Sequence, residues 1–143
     1  MKRVSKVVAY IVRDGKLVVF AHGDHDTLAL AGIQVPAGTV RPGELPEDAV
    51  LREAYEETEL PGLRLVRYLG VGEYDARPSA DAVHVRHFYE LAVDADEVPE
   101  RWTTYETGDG SHDPIRFDLY WMPLEQAHVL VGGQGSHLGR LFD

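Results

Sequence analysis

The chain has 143 residues, 44% of them hydrophobic and 27% charged, the length and composition of one globular domain with its own core. It has no cysteine, so thiol catalysis, thiolate metal sites and disulfides are excluded. Its net charge of −10, from 24 acids against 14 bases, repels a polyanion and argues against sequence-independent binding of DNA or RNA.

The amino-terminal segment MKRVSKVVAYIVRDGKLVVF begins with basic residues but lacks an unbroken apolar signal core. Lys6, Arg13, Asp14 and Lys16 interrupt it, so it is expected to belong to the mature protein. No window holds ~18 apolar residues in a row, so no membrane span is expected and a cytoplasmic location is the default. Residues 4–12, rich in Val and Ile, predict a strand. Asp14-Gly15 is a turn signal, and 16–21 returns as a second strand. Residues 27–35 form a further short apolar stretch, after which Pro36, Gly38, Pro42 and Gly43 break the chain into a loop. A helix is expected over 46–60, ended by Pro61-Gly62. Strands are expected at 63–73, 82–93 and 114–122. The polar segment 94–113, with Gly108 and Gly110, reads as a long functional or mobile loop. A short helix is expected near Leu124, then a polar Gly-rich tail leading to Leu141-Phe142. This order suits a single domain over 1–143 of the α/β class, a mixed sheet covered by helices.

Charge is concentrated in one place. Between Glu44 and Glu59 lie seven acids (Glu44, Glu47, Asp48, Glu53, Glu56, Glu57, Glu59) and one base, Arg52. With Ala49 set at zero on a helical projection, Glu53 falls near ~40°, Glu56 near ~340° and Glu57 near ~80°. The three carboxylates share one face, while Val50, Leu51, Ala54, Tyr55 and Thr58 are expected to form the core-facing stripe. Glu47 and Asp48 suit the positive end of the helix dipole, but Glu56, Glu57 and Glu59 near its negative end do not. Hard oxygen ligands clustered at this cost make sense if Mg²⁺ or Mn²⁺ fills them.

Gly38, five residues, Glu44, seven residues, then Arg52-Glu53-Ala54-Tyr55-Glu56-Glu57-Thr58 resembles the Nudix box, Gly-x5-Glu-x7-Arg-Glu-U-x-Glu-Glu-x-Gly-U with U apolar. The stretch runs from Gly38 to Leu60 and departs once, with Glu59 where the box has glycine. Because Pro61-Gly62 is expected to stop the helix, Glu59 is expected to remain helical, and Glu59→Gly to cost about 0.5–1 kcal/mol.

The resemblance implies an α/β/α sandwich on a mixed sheet. It also implies hydrolysis of a nucleoside diphosphate linked to another group, with Mg²⁺ or Mn²⁺, water attacking phosphorus. Carried over residue by residue, Glu56 and Glu57 ligate metal and Glu53 ligates metal or acts as the base, with the carbonyl near Gly38 completing the shell. Arg52 orients Glu56 or Glu44, and Glu44 is structural first and metal support second. The base sits in a late loop in some relatives, and here Glu106, Asp109 and Asp113 are the loop candidates. The implied partner is a small nucleotide or related diphosphate, not DNA or a membrane. Dimers are common among similar proteins, so a homodimer is kept open. Outside the box, Trp102 and Tyr105 could stack on a base or serve as hydrophobic anchors. Arg86, on one strand face with His84 and Phe88, could contact a phosphate or form a cross-strand ion pair. The seven histidines show no metal-ligand spacing. Two other readings are a Nudix-fold nucleotide-binding or sensor domain without turnover and an RNA end-processing hydrolase. Three intact carboxylates weigh against the first, and the acidic charge and lack of a basic stripe against the second.

Overall fold

The computed structural model describes residues 1–22, 32–106 and 113–142. Residues 27–31, Gly108, Asp109 and Gly110, named above, lie outside the described residues. In chain order the elements are β1 (Lys2–Arg13), β2 (Lys16–His22), β3 (Ala37–Thr39), α1 (Pro46–Thr58), β4 (Leu63–Asp75), β5 (Ala82–Val93), β6 (Arg101–Glu106) and β7 (Ile115–Pro123). Two 3₁₀ helices, Leu124–Val129 and Leu138–Phe142, follow. No described helix is long and apolar enough to cross a membrane.

One sheet runs β4-β5-β1-β2-β7-β6, with β3 joined to β1. It is mixed, because β1 pairs with β5 in parallel and every other pairing is antiparallel. The central position of β1 follows from its composition. Val7 to Ile11 are all buried, as a strand covered on both faces requires. Asp14 and Gly15, both at positive φ (53° and 74°), make the two-residue turn into β2 whose twist matches paired strands.

Alternation sends each strand's side chains into two cores. Val7, Ala9 and Ile11 of β1, with Val18, Phe20, Leu91 and Leu119, pack against Ala49, Val50 and Ala54 of α1. Val8, Tyr10, Leu17, Val19 and Phe88 pack on the other face, under Ala127 and the residues of the 3₁₀ helices. The layered α/β expectation therefore holds, with short 3₁₀ turns as the second covering layer. The tail is pinned by polar contacts as well. The buried Tyr10 hydroxyl donates to the Gln134 carbonyl and accepts from the His137 N–H (3.3 Å). The Gln134 side-chain oxygen accepts from the Val35 N–H at 2.8 Å.

Three local expectations are corrected. The 94–113 segment is not all loop. It contains β6, whose Trp102 and Thr104 face inward while Arg101, Thr103 and Tyr105 alternate with them. Arg-Trp-Thr-Thr-Tyr-Glu is aromatic and β-branched enough for a strand, but its polar surroundings masked the period. Second, the buried stripe of α1 is rotated from the expected one. Ala49 is fully buried and Tyr55 is 56% exposed, so the buried arc runs from Ala49 through Val50 and Ala54 to Thr58. Glu53 and Glu57 therefore point into the seam between helix and sheet.

Third, α1 ends at Thr58, and Glu59 does not continue it. Glu59 takes the left-handed conformation (φ 57°, ψ 19°), its N–H donating to the Tyr55 carbonyl at 2.8 Å. The Thr58 hydroxyl closes the turn, donating to the Ala54 carbonyl (2.7 Å) and accepting from the Leu60 N–H (3.2 Å). A residue with a Cβ is strained there, and an acid sits at the negative end of the dipole. The sign of the earlier expectation reverses. Glu59→Gly is expected to stabilise by roughly 0.5–1 kcal/mol, after part of the gain is lost to a freer unfolded chain. Thermal melting checks it, and a fall in Tm would reject this account of the helix end.

Candidate active site

The carboxylates meet where the 36–45 loop runs past α1 at the edge of its seam with the sheet. β3 aligns this loop by pairing Val7 with Gly38 and Val8 with Ala37 on β1. Gly38 is dictated by a close approach, since a Cβ there would overlap the Glu53 carboxylate. Glycine lets backbone and carboxylate share the space. The carboxylate of Glu57 accepts from the neighbouring Ala37 N–H at 3.0 Å. Two of the three acids are thus fixed against the loop backbone, while Glu56, with its side chain 47% exposed, faces solvent.

Arg52 organises the rest. Its guanidinium forks onto Glu44 with two contacts of 2.8 Å and reaches Glu53 at 2.8 Å, Glu56 at 3.3 Å and the Thr39 carbonyl at 3.0 Å. Glu44 also accepts from the Arg41 N–H at 3.0 Å. The bidentate pair and this N–H hold the Glu44 carboxyl down at about 2. Arg52 orients Glu44 and Glu56 together, where the sequence left the choice open. Arg41 approaches Glu56 at 3.5 Å.

The electrostatics run the other way at Glu53 and Glu57. Burial raises the carboxyl of Glu53, Arg52 opposes this, and Glu56 and Glu106 add repulsion. Burial raises Glu57 well above the usual carboxylate range, with Glu53, Glu106 and Glu56 adding to it against the Ala37 N–H. Glu106, at the end of β6, is therefore close enough to act on both. Asp113, just before β7, is exposed. Such mutual repulsion is the signature of a site short of positive charge.

Among the described residues, no three metal-ligating side chains converge on one point. The donor set nonetheless suits a divalent cation. The oxygens are hard, two of the carboxylates are raised by desolvation and by neighbouring acids, and Gly38 keeps its backbone open beside Glu53.

The aromatic candidates separate. Trp102 is an anchor, its indole N–H donating to the Thr58 carbonyl at 2.8 Å and its ring packing on the core beside Trp121. Tyr105 is 59% exposed and alternates onto the other face of β6. Thr104, which the sequence reading passed over, is buried and donates to the Glu57 carbonyl at 2.6 Å, so β6 fastens the C-terminal end of α1. Among the described residues Arg86 is in no ion pair with a carboxylate. It donates to the Gly132 carbonyl and lies 4.1 Å over the Tyr74 ring. Lys6 was also missed, although a lysine inside the apolar run of β1 was a visible signal. A groove of ≈ 670 Å³ lies elsewhere, at the β1–β2 hairpin beside Asp96 and Arg101. Its mixed acids and bases show no comparable chemistry.

The mixed sheet with a glycine loop feeding an acidic helix defines a class of hydrolase domain. The NUDIX domain family model matches residues 2–139, and the chain belongs to this family. No curated protein matches it significantly in sequence. Solved structures share the fold at low identity. The MutT protein from Methanosarcina mazei Go1 aligns at TM-score 0.69 and 18% identity, over 99% of this chain and 94% of that one. The Escherichia coli ORF135 protein aligns at TM-score 0.65 and 20% identity, over 99% and 90%. A structure described as a UDP-X diphosphatase aligns at TM-score 0.66 and 18% identity over 99% of this chain, which spans 62% of its length.

Proposed function

We propose that the chain is a metal-dependent pyrophosphohydrolase, a single domain that cleaves the diphosphate bond of a nucleoside diphosphate linked to another group. The observation that carries this is the acidic trio Glu53, Glu56 and Glu57, with Glu53 and Glu57 held against the backbone of Gly38 and Ala37 and Glu53 and Glu56 tied to Arg52. Glu56 and Glu57 would hold Mg²⁺ or Mn²⁺, with Glu53 and the Gly38 backbone beside them. When bound, the cation supplies neutralisation of phosphate oxygens and a more acidic water. Glu53 is the best-placed base. Burial raises its carboxyl above the usual carboxylate range, and Arg52 fixes its direction. Glu106 is the second candidate, and its charge already reaches the same two acids.

The test is a product-identified screen of nucleoside triphosphates, nucleotide sugars, dinucleotides and 5′-triphosphorylated RNA with Mg²⁺ and Mn²⁺. Release of monophosphate, phosphate or pyrophosphate that stops with chelator and returns with metal is expected from the small molecules. Tight ligand binding with no product would establish the sensor reading instead, and turnover confined to RNA the end-processing one.

A further inference from the structure

Beside the carboxylates stands a second charged group of opposite sign. Lys6 of β1 and Arg86 of β5 are register partners in the parallel pair, one step before Val8 and Phe88, which are buried in the core under the 3₁₀ helices. Alternation places both basic side chains on that face, with His84 a further step along. Lys6 donates to the Thr39 hydroxyl at 2.7 Å, so it reaches the loop that carries Gly38. It feels the attraction of Glu53 on one side and the repulsion of Arg86 on the other. His84 feels the repulsion of both cations.

Among the described residues neither Lys6 nor Arg86 is ion-paired with a carboxylate. Their hydrogen bonds go to a neutral hydroxyl and a neutral carbonyl, and Arg86 rests on the Tyr74 ring. Both lose hydration, and burial is the largest influence on each. Two partly buried like charges on adjacent strands are unfavourable alone. The rim beside them is left low by Gly132 and Gly133, both at positive φ, with Gly133 next to the Arg86 guanidinium. In a chain of net charge −10, this is a local reversal of sign opening next to Glu53.

We propose that Lys6 and Arg86 form an anion subsite for a phosphoryl group beyond the two whose bond is cleaved, so that the substrate class is a polyphosphate chain of at least three phosphates. A diphosphate carried by divalent cations at Glu56 and Glu57 has little charge left for two further cations to neutralise. A third phosphoryl group does, and Arg86 offers it a fork while Lys6 offers a point charge. This substrate class rests on the hydrolase reading; the anion subsite itself does not.

The experiment is calorimetric titration of the protein with inorganic tripolyphosphate and, separately, inorganic pyrophosphate, at low salt in chelator. Wild type is expected to bind tripolyphosphate more tightly than pyrophosphate. The Lys6→Met/Arg86→Met double variant is expected to lose tenfold or more of the tripolyphosphate affinity, and Arg86→Lys to keep most of it. If the double variant is insoluble, Lys6→Met alone is expected to show a smaller loss of the same kind. Absence of binding in wild type, equal affinity for the two anions, or wild-type affinity in the variants would overturn the proposal. No metal or turnover is involved, so an inactive protein in the nucleotide screen would reject the hydrolase reading without touching this result.

Discussion

Glu57→Gln is expected to lower kcat by two decades or more while making the metal-free protein more stable. The two effects have one origin. Glu57 is partly buried beside Thr58 and Ala54 of α1, and burial together with Glu53, Glu106 and Glu56 disfavours its charge. Glutamine keeps an oxygen for the Ala37 N–H but removes a charge that would hold the metal. A carboxyl raised in the folded state destabilises folding above its folded value. That cost shrinks as pH falls toward the unfolded value of about 4.5. The Tm difference between Glu57→Gln and wild type in chelator should therefore be positive at pH 8 and fade on acidification. Glu56→Gln should lose activity comparably, with a smaller gain in stability, because Glu56 is half exposed and ion-paired. Full activity in Glu57→Gln, measured on any substrate found in the screen, would reject the helix as the metal site. A falling Tm would reject the account of its burial.

Ala54→Asp is expected to cost several kcal/mol and leave the protein insoluble or melting far below wild type. Ala54 is fully buried in an apolar cluster with β1 and β5 residues. Val50→Asp should behave alike. Tyr55→Asp is the informative control, because Tyr55 was expected on the same stripe and instead is exposed. It should be nearly neutral in Tm. Native melting of Ala54→Asp, or collapse of Tyr55→Asp, would contradict the helix orientation.

The contrast between Tyr55 and Ala49 shows where the sequence was readable. Element order, the Asp14-Gly15 hairpin, the long strands and the acidic helix follow from local periodicity and turn chemistry, which act within a few residues. The rotation of α1 does not. A projection fixes which residues share a face, but the sheet decides which arc is pressed down, and it covers Ala49 while leaving Tyr55 exposed. Glu59 failed for a related reason. Pro61-Gly62 is a sound stop signal, yet Thr58 ends the helix earlier with its own hydroxyl. At the site, the reach of Arg52 to Glu56 was legible from the i,i+4 spacing, while Glu44 entered only as an alternative partner implied by the resemblance. The Gly38–Glu53 approach, the Trp102 and Thr104 fastenings and the Lys6–Arg86 pair were not legible, because each joins segments far apart in the chain.

The parallel pairing of β1 with β5 also bears on how the chain matures. Each partner lies 80 positions downstream, from Lys2 against Ala82 to Ile11 against Leu91. Loop closure of that length precedes any return from the contact, which slows folding. On the ribosome, β1, β2, β3 and α1 emerge first, while the strand that flanks β1 on its other side is still unsynthesised. Until residues 82–93 clear the exit tunnel, an apolar strand destined for the middle of the sheet has a bare edge. Such an edge is the template for pairing between chains. The 36–45 loop leans on that same strand through β3, so the proposed site cannot be assembled before the second half of the chain arrives.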